Sequence, residues 1–294
     1  MRDDAVAAAL EAERPALRGL AYRMLGGLSD ADDAVQDAFV RWVRLSDAQR
    51  TAIDNPGAWM MRVTSRICLD MLGSARARRE TYVGPWLPEP VTAHADGAEV
   101  TDPLDRVTID DSVSMALQVV LDTLTPAERV AFVLHDVFEL PFAQIAETLG
   151  RSVEASRQLA SSARRKVRTR TDGAATRERH DAVATAFAAA TGAGDLDALV
   201  ALLDPGVTLT SDGGGKVSAA RRPVRGPDNV ARFVLGVLTR RPEARVDPIR
   251  TADGLGFVVS EHGVVDTVMV LGVRADRVSD VWLVRNPDKL TSWR

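Results

Sequence analysis

Apolar positions recur at helical spacing near the start of the chain, through Leu10, Leu17, Leu20 and Met24, until Gly26-Gly27 interrupts them. Ser29-Asp30 begins a second helical pattern, with Asp32, Asp33 and Asp37 on one side and Val35, Phe39, Trp42 and Val43 on the other. Asn55-Pro56-Gly57 ends the next connection. From Ala58 to Met71 the spacing is helical again, with Trp59, Val63, Ile67 and Leu72 available for a core. The continuation of this helix is basic, carrying Arg76, Arg78 and Arg79. Residues 5–80 are expected to form an all-α unit.

A sharper pattern lies between Thr125 and Arg168. Thr125-Pro126-Ala127-Glu128 is a capping box with proline at the first helical position, so the start of a helix is fixed there. That helix runs apolar through Val130, Val133, Leu134 and Val137. Pro141 opens a second helix bearing Ile145 and Leu149, and Gly150 has the backbone freedom to end it. Ser152 caps a third helix, with Glu154 in the first turn where the helix dipole favours an acid. Val153, Leu159, Ala163 and Val167 are expected to face inward, while Arg157, Ser161, Arg164 and Arg168 form the opposite stripe. From Arg151 to Arg170 seven basic residues stand against one acid. Helix, turn, helix and a basic stripe together predict a module over 112–172 whose last helix enters a major groove.

Between these units, at 81–111, the pattern gives way to proline, glycine and acids. Tyr82 to Asp111 holds seven acids and one base, Arg106, as a linker would. Trp86-Leu87-Pro88-Glu89-Pro90 lies inside it, and a tryptophan between prolines suits a stiff docking segment better than a plain tether. Over 173–294 the period shifts. Glu178 to Ala190, Asp195 to Leu203 and Asp228 to Leu238 read as helices and Val207 to Thr210 as extended. Ala244 to Ile249, Leu255 to Glu261, Val264 to Val273 and Val278 to Val284 read as strands. Short helices followed by an antiparallel sheet predict an α+β domain, with helices on the concave side of a curved sheet that encloses a pocket.

Composition narrows the picture. A net charge of −4 over 294 residues argues against wholesale coating of nucleic acid, so any DNA contact must come from local basic patches. The single cysteine, Cys68, excludes a disulfide and a cysteine-rich zinc site and suits a reducing cytoplasm. No stretch reads as a signal peptide or reaches membrane-spanning length.

The order of these features resembles the extracytoplasmic-function (ECF) class of bacterial RNA polymerase sigma factors. The helix from Asp30 to Phe39 is similar to the polymerase-docking helix of region 2, and the helix begun at Asn55-Pro-Gly-Ala-Trp59 is similar to the segment that reads the −10 element. Thr125 to Arg168 resembles region 4, which reads the −35 element. WLPEP at Trp86 to Pro90, DGGGK at Asp212 to Lys216 and NPDKL at Asn286 to Leu290 resemble the hallmarks of a subgroup with a fused SnoaL-like (NTF2-like) domain. The resemblance implies a multidomain protein: two all-α sigma domains followed by an α+β cone. It implies core RNA polymerase and promoter DNA as partners, no cofactor, and regulation built into the chain without a separate anti-sigma factor. Polymerase contact would fall to Asp32, Asp33, Gln36, Asp37 and Phe39, and −10 contact to Arg62, Arg66, Arg76, Arg78 and Arg79. Arg66 stands where the class often carries Asn. On the third helix of region 4, Arg157, Gln158, Ser161 and Ser162 are expected at base edges, and Arg164, Arg165, Lys166 and Arg168 on phosphate.

SnoaL-like folds include enzymes that use buried carboxylates, sometimes with a tyrosine donor. Here both tyrosines, Tyr22 and Tyr82, precede the domain, His180 and His262 are isolated, and Asp212 and Asp288 read as loop residues. No catalytic residue and no metal ligand is assigned. Two of the chain's three lysines fall in DGGGK and NPDKL. The expectation is a contact surface made by Trp86, Leu87, Pro88, Glu89, Pro90, Asp212, Gly213, Gly214, Gly215, Lys216, Asn286, Pro287, Asp288, Lys289 and Leu290. In it Lys216 or Lys289 would pair with Glu89, and Trp86 would be the main apolar anchor. The pocket could also take a small ligand, making the domain a sensor. Two other readings remain: a conventional dimeric DNA-binding regulator, or a SnoaL-like isomerase or cyclase carrying a DNA-binding module.

Overall fold

A computed structural model describes residues 10–80, 82–91 and 114–293, the side chains of 74–80 and 171 excepted. The chain divides into two compact units. One joins 1–80, 96–113 and 117–170; the other joins 81–95, 114–116 and 171–294.

In the first unit, α1 (Arg14–Leu25), α2 (Leu28–Val43), the single turn α3 (Asp47–Thr51) and α4 (Pro56–Glu80) form the expected helical start. Gly26 ends α1 in the left-handed conformation, with its N–H donating to the Tyr22 carbonyl. Leu17, Leu20, Met24, Val35, Met60, Cys68 and Leu72 are buried, and burial pushes the Cys68 thiol far up, leaving it an inert core group. Trp42 is core, edge-on to Trp59 with ring centroids 5.3 Å apart, whereas Val43, expected on the apolar side, is exposed.

The same unit contains α5 (Met115–Leu121) from Leu117 on, α6 (Pro126–Phe132), α7 (Phe142–Leu149) and α8 (Val153–Thr171) as far as Arg170. Both halves of the Thr125 capping box form. Beyond Phe132 the helix widens into a π-turn over Val133–Val137, and Glu139 then takes a positive φ of 55° to redirect the chain. Gly150 ends α7 at a φ of 61°, and Ser152 Oγ accepts from the Ala155 N–H at the start of α8. Helices α6 and α7 pack on α4. Buried polar groups tie α5 to its neighbours: Gln118 Nε2 donates to the Tyr22 carbonyl of α1 at 3.1 Å, and Arg129 of α6 donates to Asp122, just after α5, at 2.6 Å. Arg23 is fully buried, donates to the Gly19 carbonyl, and is pushed down to about 10 by burial.

The second unit holds α9 (Arg177–Ala193), α10 (Leu196–Leu202), β1 (Leu203–Asp212), β2 (Val224–Arg225), α11 (Pro227–Thr239), β3 (Arg245–Thr251), β4 (Gly254–Glu261), β5 (Val264–Arg274) and β6 (Arg277–Val284). The sheet order is β2-β1-β6-β5-β4-β3. The expected antiparallel sheet is in fact mixed, because β1 runs parallel to β6, with Asp212 opposite Val284. Helical residues Phe187, Leu199, Val230 and Val234 bury one face of the sheet with Leu209, Met269, Leu271 and Leu283. The segment 82–91, read above as the start of the linker, belongs to this unit.

Candidate functional site

The basic face of α8 is set by which residues its packing consumes. Ser156, Ala160 and Ala163 are buried, so the inward stripe is rotated from the expected one: Val153 lies at the surface and Ser156 inside, its Oγ donating to the Ser152 carbonyl. Arg157, Gln158, Ser161, Arg165 and Arg168 are exposed on the other side. Three expected DNA contacts are turned to partners within the unit. Ser162 Oγ and Lys166 Nζ donate to Glu128, each at 2.8 Å, and Arg164 donates to Asp136 at 2.5 Å. Burial opposes ionisation of Glu128, yet donors from Lys166, Thr125 and Ser162 hold its carboxyl down at about 2. Pattern alone hid this, because the capping glutamate of one helix also anchors another helix 34 residues on.

On α2, Asp32, Asp33 and Gln36 are exposed along one face, with Val40 and Val43 continuing it. Asp32 accepts from Arg18, Asp37 from Arg41 at 2.9 Å, and the Arg14 guanidinium lies 4.3 Å from the Phe39 ring centroid. On α4, Arg62 and Arg66 are exposed, and Arg62 donates to Glu147 of α7 at 3.1 Å. The side chains of Arg76, Arg78 and Arg79 lie outside the described residues.

In the second unit the three motifs meet around Asp212. This residue, expected in a loop, is the last of β1 and is fully buried. Its Oδ1 accepts from the Tyr82 hydroxyl at 2.6 Å and the Gly214 N–H at 3.0 Å. Its Oδ2 accepts from the Leu87 N–H at 2.9 Å and Lys289 Nζ at 2.7 Å. Four donors thus converge on one carboxylate, a charge-assisted set that fills its accepting capacity. Lys289 Nζ also donates to the Leu87 carbonyl and stands 4.0 Å from the Trp86 ring centroid. Asn286 Nδ2 donates to Tyr82 Oη at 2.8 Å. Burial and then the Asp212 carboxylate push the Tyr82 hydroxyl well up, so it stays a proton donor. Gly214 has a φ of 62°, and a Cβ there would stand 2.5 Å from the Asn286 side chain, so glycine is required for the approach.

These contacts correct the expected pairings. Lys289 pairs with Asp212 and Lys216 with Asp288 at 2.6 Å. Leu87 and Leu290 are buried where Trp86 is only half-buried, so the leucines are the apolar anchors. Pro88, Glu89 and Pro90 are buried too, and the Pro90 carbonyl accepts from Trp293 Nε1. Sequence reasoning missed Tyr82, set aside because it precedes the domain; its place four residues before Trp86 was the available signal. Among the described residues no group of His, Cys, Asp or Glu has the arrangement of a metal site, and no helix is long and apolar enough to cross a membrane.

Comparison with known proteins assigns each segment. Residues 9–78 match Sigma-70 region 2, residues 114–167 match Sigma-70 region 4, and residues 184–292 match the SnoaL-like domain. The ECF RNA polymerase sigma factor SigJ of Mycobacterium tuberculosis (strain ATCC 25618 / H37Rv) is 42% identical over 298 residues, covering 96% of this chain and 92% of the relative. The probable ECF RNA polymerase sigma factor SigI of the same strain is 38% identical, covering 99% and 97%. The crystal structure of M. tuberculosis SigJ superposes with a TM-score of 0.75 at 40% identity, covering 97% of this chain and 98% of that one.

Proposed function

Because the chain belongs to the extracytoplasmic-function RNA polymerase sigma factors, we propose that its SnoaL-like domain is a built-in regulator that holds or releases the start of the linker between regions 2 and 4. Membership in the family implies core RNA polymerase and promoter DNA as partners and a transcription factor rather than an enzyme. The division of labour follows from energetics. Melting about ten base-pair steps costs roughly 14 kcal/mol at ~1.4 kcal/mol each. Capturing a flipped base returns only about 1–3 kcal/mol. Regions 2 and 4 supply specificity, and the polymerase supplies the remaining strand-separating energy.

Arg157, Gln158 and Ser161 are assigned to base edges, and Arg165 and Arg168 to phosphate. Ser162, Arg164 and Lys166 must first leave Glu128 and Asp136 to reach DNA. Asp32, Asp33 and Gln36 offer an acidic exposed face to a basic polymerase surface, with Asp37 and Phe39 beside it. Arg62 and Arg66, with Arg76, Arg78 and Arg79 further along α4, are assigned to the −10 element. Elements centred about 25 base pairs apart lie roughly 85 Å apart along the duplex at ~3.4 Å per step. The Arg62–Glu147 pair joins the two reading modules at 3.1 Å, so it belongs to a resting state that must open.

The observation that carries the regulatory reading is the convergence of Tyr82, Leu87 and Lys289 on Asp212. Fixing 82–91 takes ten residues, at most about 33–36 Å when fully extended, out of the free tether between the reading modules. Regulation by an attached domain needs only weak contacts, since the tether sets a high effective concentration. It makes a separate anti-sigma factor unnecessary. Run-off transcription with core polymerase tests this. Deleting the tail from Asn286 is expected to alter promoter output, and to alter it differently from deleting everything after Gly173. Equal output from both truncations and the full chain removes the regulatory role. A gel shift without core polymerase that matches the one with it favours a conventional regulator instead.

A further inference from the structure

Between α11 and the sheet the C-terminal unit keeps a cavity of about 200 Å³. An apolar void of ~150 Å³ takes benzene, so this one has room for a ring of that size with a small substituent. Phe233, Val237, Met269 and Leu283 supply apolar wall. Polar and charged side chains complete the lining: Ser211, Ser218, Thr267, Arg240, Arg241 and Arg285. Ser211 is 1% exposed, and its Oγ has no hydrogen-bond partner among the described residues. Arg285 donates to the Thr267 hydroxyl at 3.2 Å and to the Ser218 carbonyl, both neutral acceptors.

The neighbouring Arg241 shows what Arg285 lacks. Arg241 is held by Asp266 and by Glu261, the latter at 3.0 Å. Burial pulls the Arg285 pKa down; Asp266 and Glu261 attract its charge, while Arg241, which already stands against both, repels it. A half-buried guanidinium on neutral acceptors and a buried hydroxyl without a partner line the same cavity, and neither group meets an anion there among the described residues. An incoming carboxylate would pair with the guanidinium, and a rotation of the buried Ser211 side chain would bring its hydroxyl to the same group.

We propose that this cavity binds a small monocarboxylic acid with a compact apolar body, its carboxylate on Arg285 and Ser211 and its body among Phe233, Val237, Met269 and Leu283. The site adjoins the motif cluster on both strands. Ser211 directly precedes Asp212, Arg285 directly precedes Asn286, and the Arg285 N–H donates to the Asp212 carbonyl at 2.7 Å. Acid binding therefore changes the hold on Tyr82 and Leu87, a coupling that must act in both directions. This coupling rests on the regulatory reading above; the binding does not.

Calorimetric titration of the full chain with benzoate and hexanoate, against benzamide and hexanamide, tests the site. At least one acid is expected to bind saturably and about tenfold more tightly than its amide, since the amide loses the charge-assisted bonds. Ser211→Ala should weaken acid binding severalfold while leaving the fold intact, and Val237→Phe, which fills the chamber, should abolish it. Equal affinity for acid and amide, no saturable binding of either acid up to about 10 mM, or undiminished binding by Val237→Phe overturns the site. Run-off transcription with and without the bound acid reads the coupling separately. Binding with no change in output keeps the site and overturns its link to the linker. Acid binding that survives when the truncations above behave like the full chain counts against the regulatory role alone.

Discussion

Helix α8 turns Arg157, Gln158, Ser161, Arg165 and Arg168 to solvent, whereas the cluster around Asp212 encloses its charges, with Asp212 fully buried and Lys289 only 12% exposed. Exposed cations keep their hydration and are open to a polyanion, whose binding releases counterions. A buried carboxylate with four donors has no capacity left for a partner. The first arrangement waits to be completed by something else, and the second is complete in itself. Charge of both kinds falls inside recognisable motifs, so motif membership does not distinguish a docking surface from an internal joint. Burial does.

The largest expected effect tests the joint. Asp212→Asn leaves the Lys289 ammonium buried opposite a neutral amide and withdraws an acceptor from Tyr82 or Leu87. Removing one member of a buried pair costs about 3–5 kcal/mol. Thermal unfolding should record that loss, and hydrogen exchange at the Leu87 amide should speed up together with it. Unchanged protection at Leu87 would show that the linker start is held by Leu87 and Leu290 packing alone, and the contrast with α8 would then rest on apolar contacts.

A smaller effect is expected where α8 itself is anchored. Glu128 is held near 2 against an ordinary value of 4.5, so its contribution to stability is complete above about 4.5 and fades as pH falls toward 2. Screening at the half-exposed Lys166 end reduces the full linkage value to about 2–3 kcal/mol. Glu128→Gln should therefore destabilise the first unit at neutral pH and flatten the acid limb of its unfolding curve between those values. A parallel downward shift at every pH would mean that capping, not charge, carries the effect.

Arg157→Ala probes the open side. Arg157 is 58% exposed and has a loose exposed partner in Glu154 at 3.7 Å, so the fold should lose almost nothing. Promoter binding by the holoenzyme should weaken by about 1–3 kcal/mol, with relaxed preference at one −35 position. Equal loss on all promoters would move Arg157 to the phosphate set.

How much of this was legible in the sequence depends on how local each feature is. Thr125, Gly150 and Ser152 announce helix ends because caps are decided within a few residues. The acidic face of α2 and the exposed part of α8 follow from helical periodicity. Periodicity failed wherever partners are far apart in the chain. Asp212 read as a loop residue because glycines follow it, yet it closes a ten-residue strand whose neighbour β6 lies about seventy residues on. Tyr82 was assigned by its position before the domain rather than by where the chain returns, which is 130 residues away at Asp212. Gln118 and Arg129, buried and polar, carry no local signature at all. Motif recognition found the right segments. It could not say which lysine of two would be buried.

That choice supports the finest test. Lys216 and Lys289 lie in the two motifs and each pairs with an aspartate, but Lys216 and Asp288 are 55% and 62% exposed. An exposed pair, even at 2.6 Å, is worth about 0–1 kcal/mol. Lys216→Met should therefore barely move thermal unfolding and should leave Leu87 exchange as it was, while Lys289→Met should behave like Asp212→Asn. If the two lysine variants open the linker equally, position in the motif matters more than burial, and the distinction between joint and surface fails. If Lys216→Met changes transcription with stability and exchange intact, the DGGGK loop faces a partner outside its own domain, and belongs with α8 among the parts that wait to be completed.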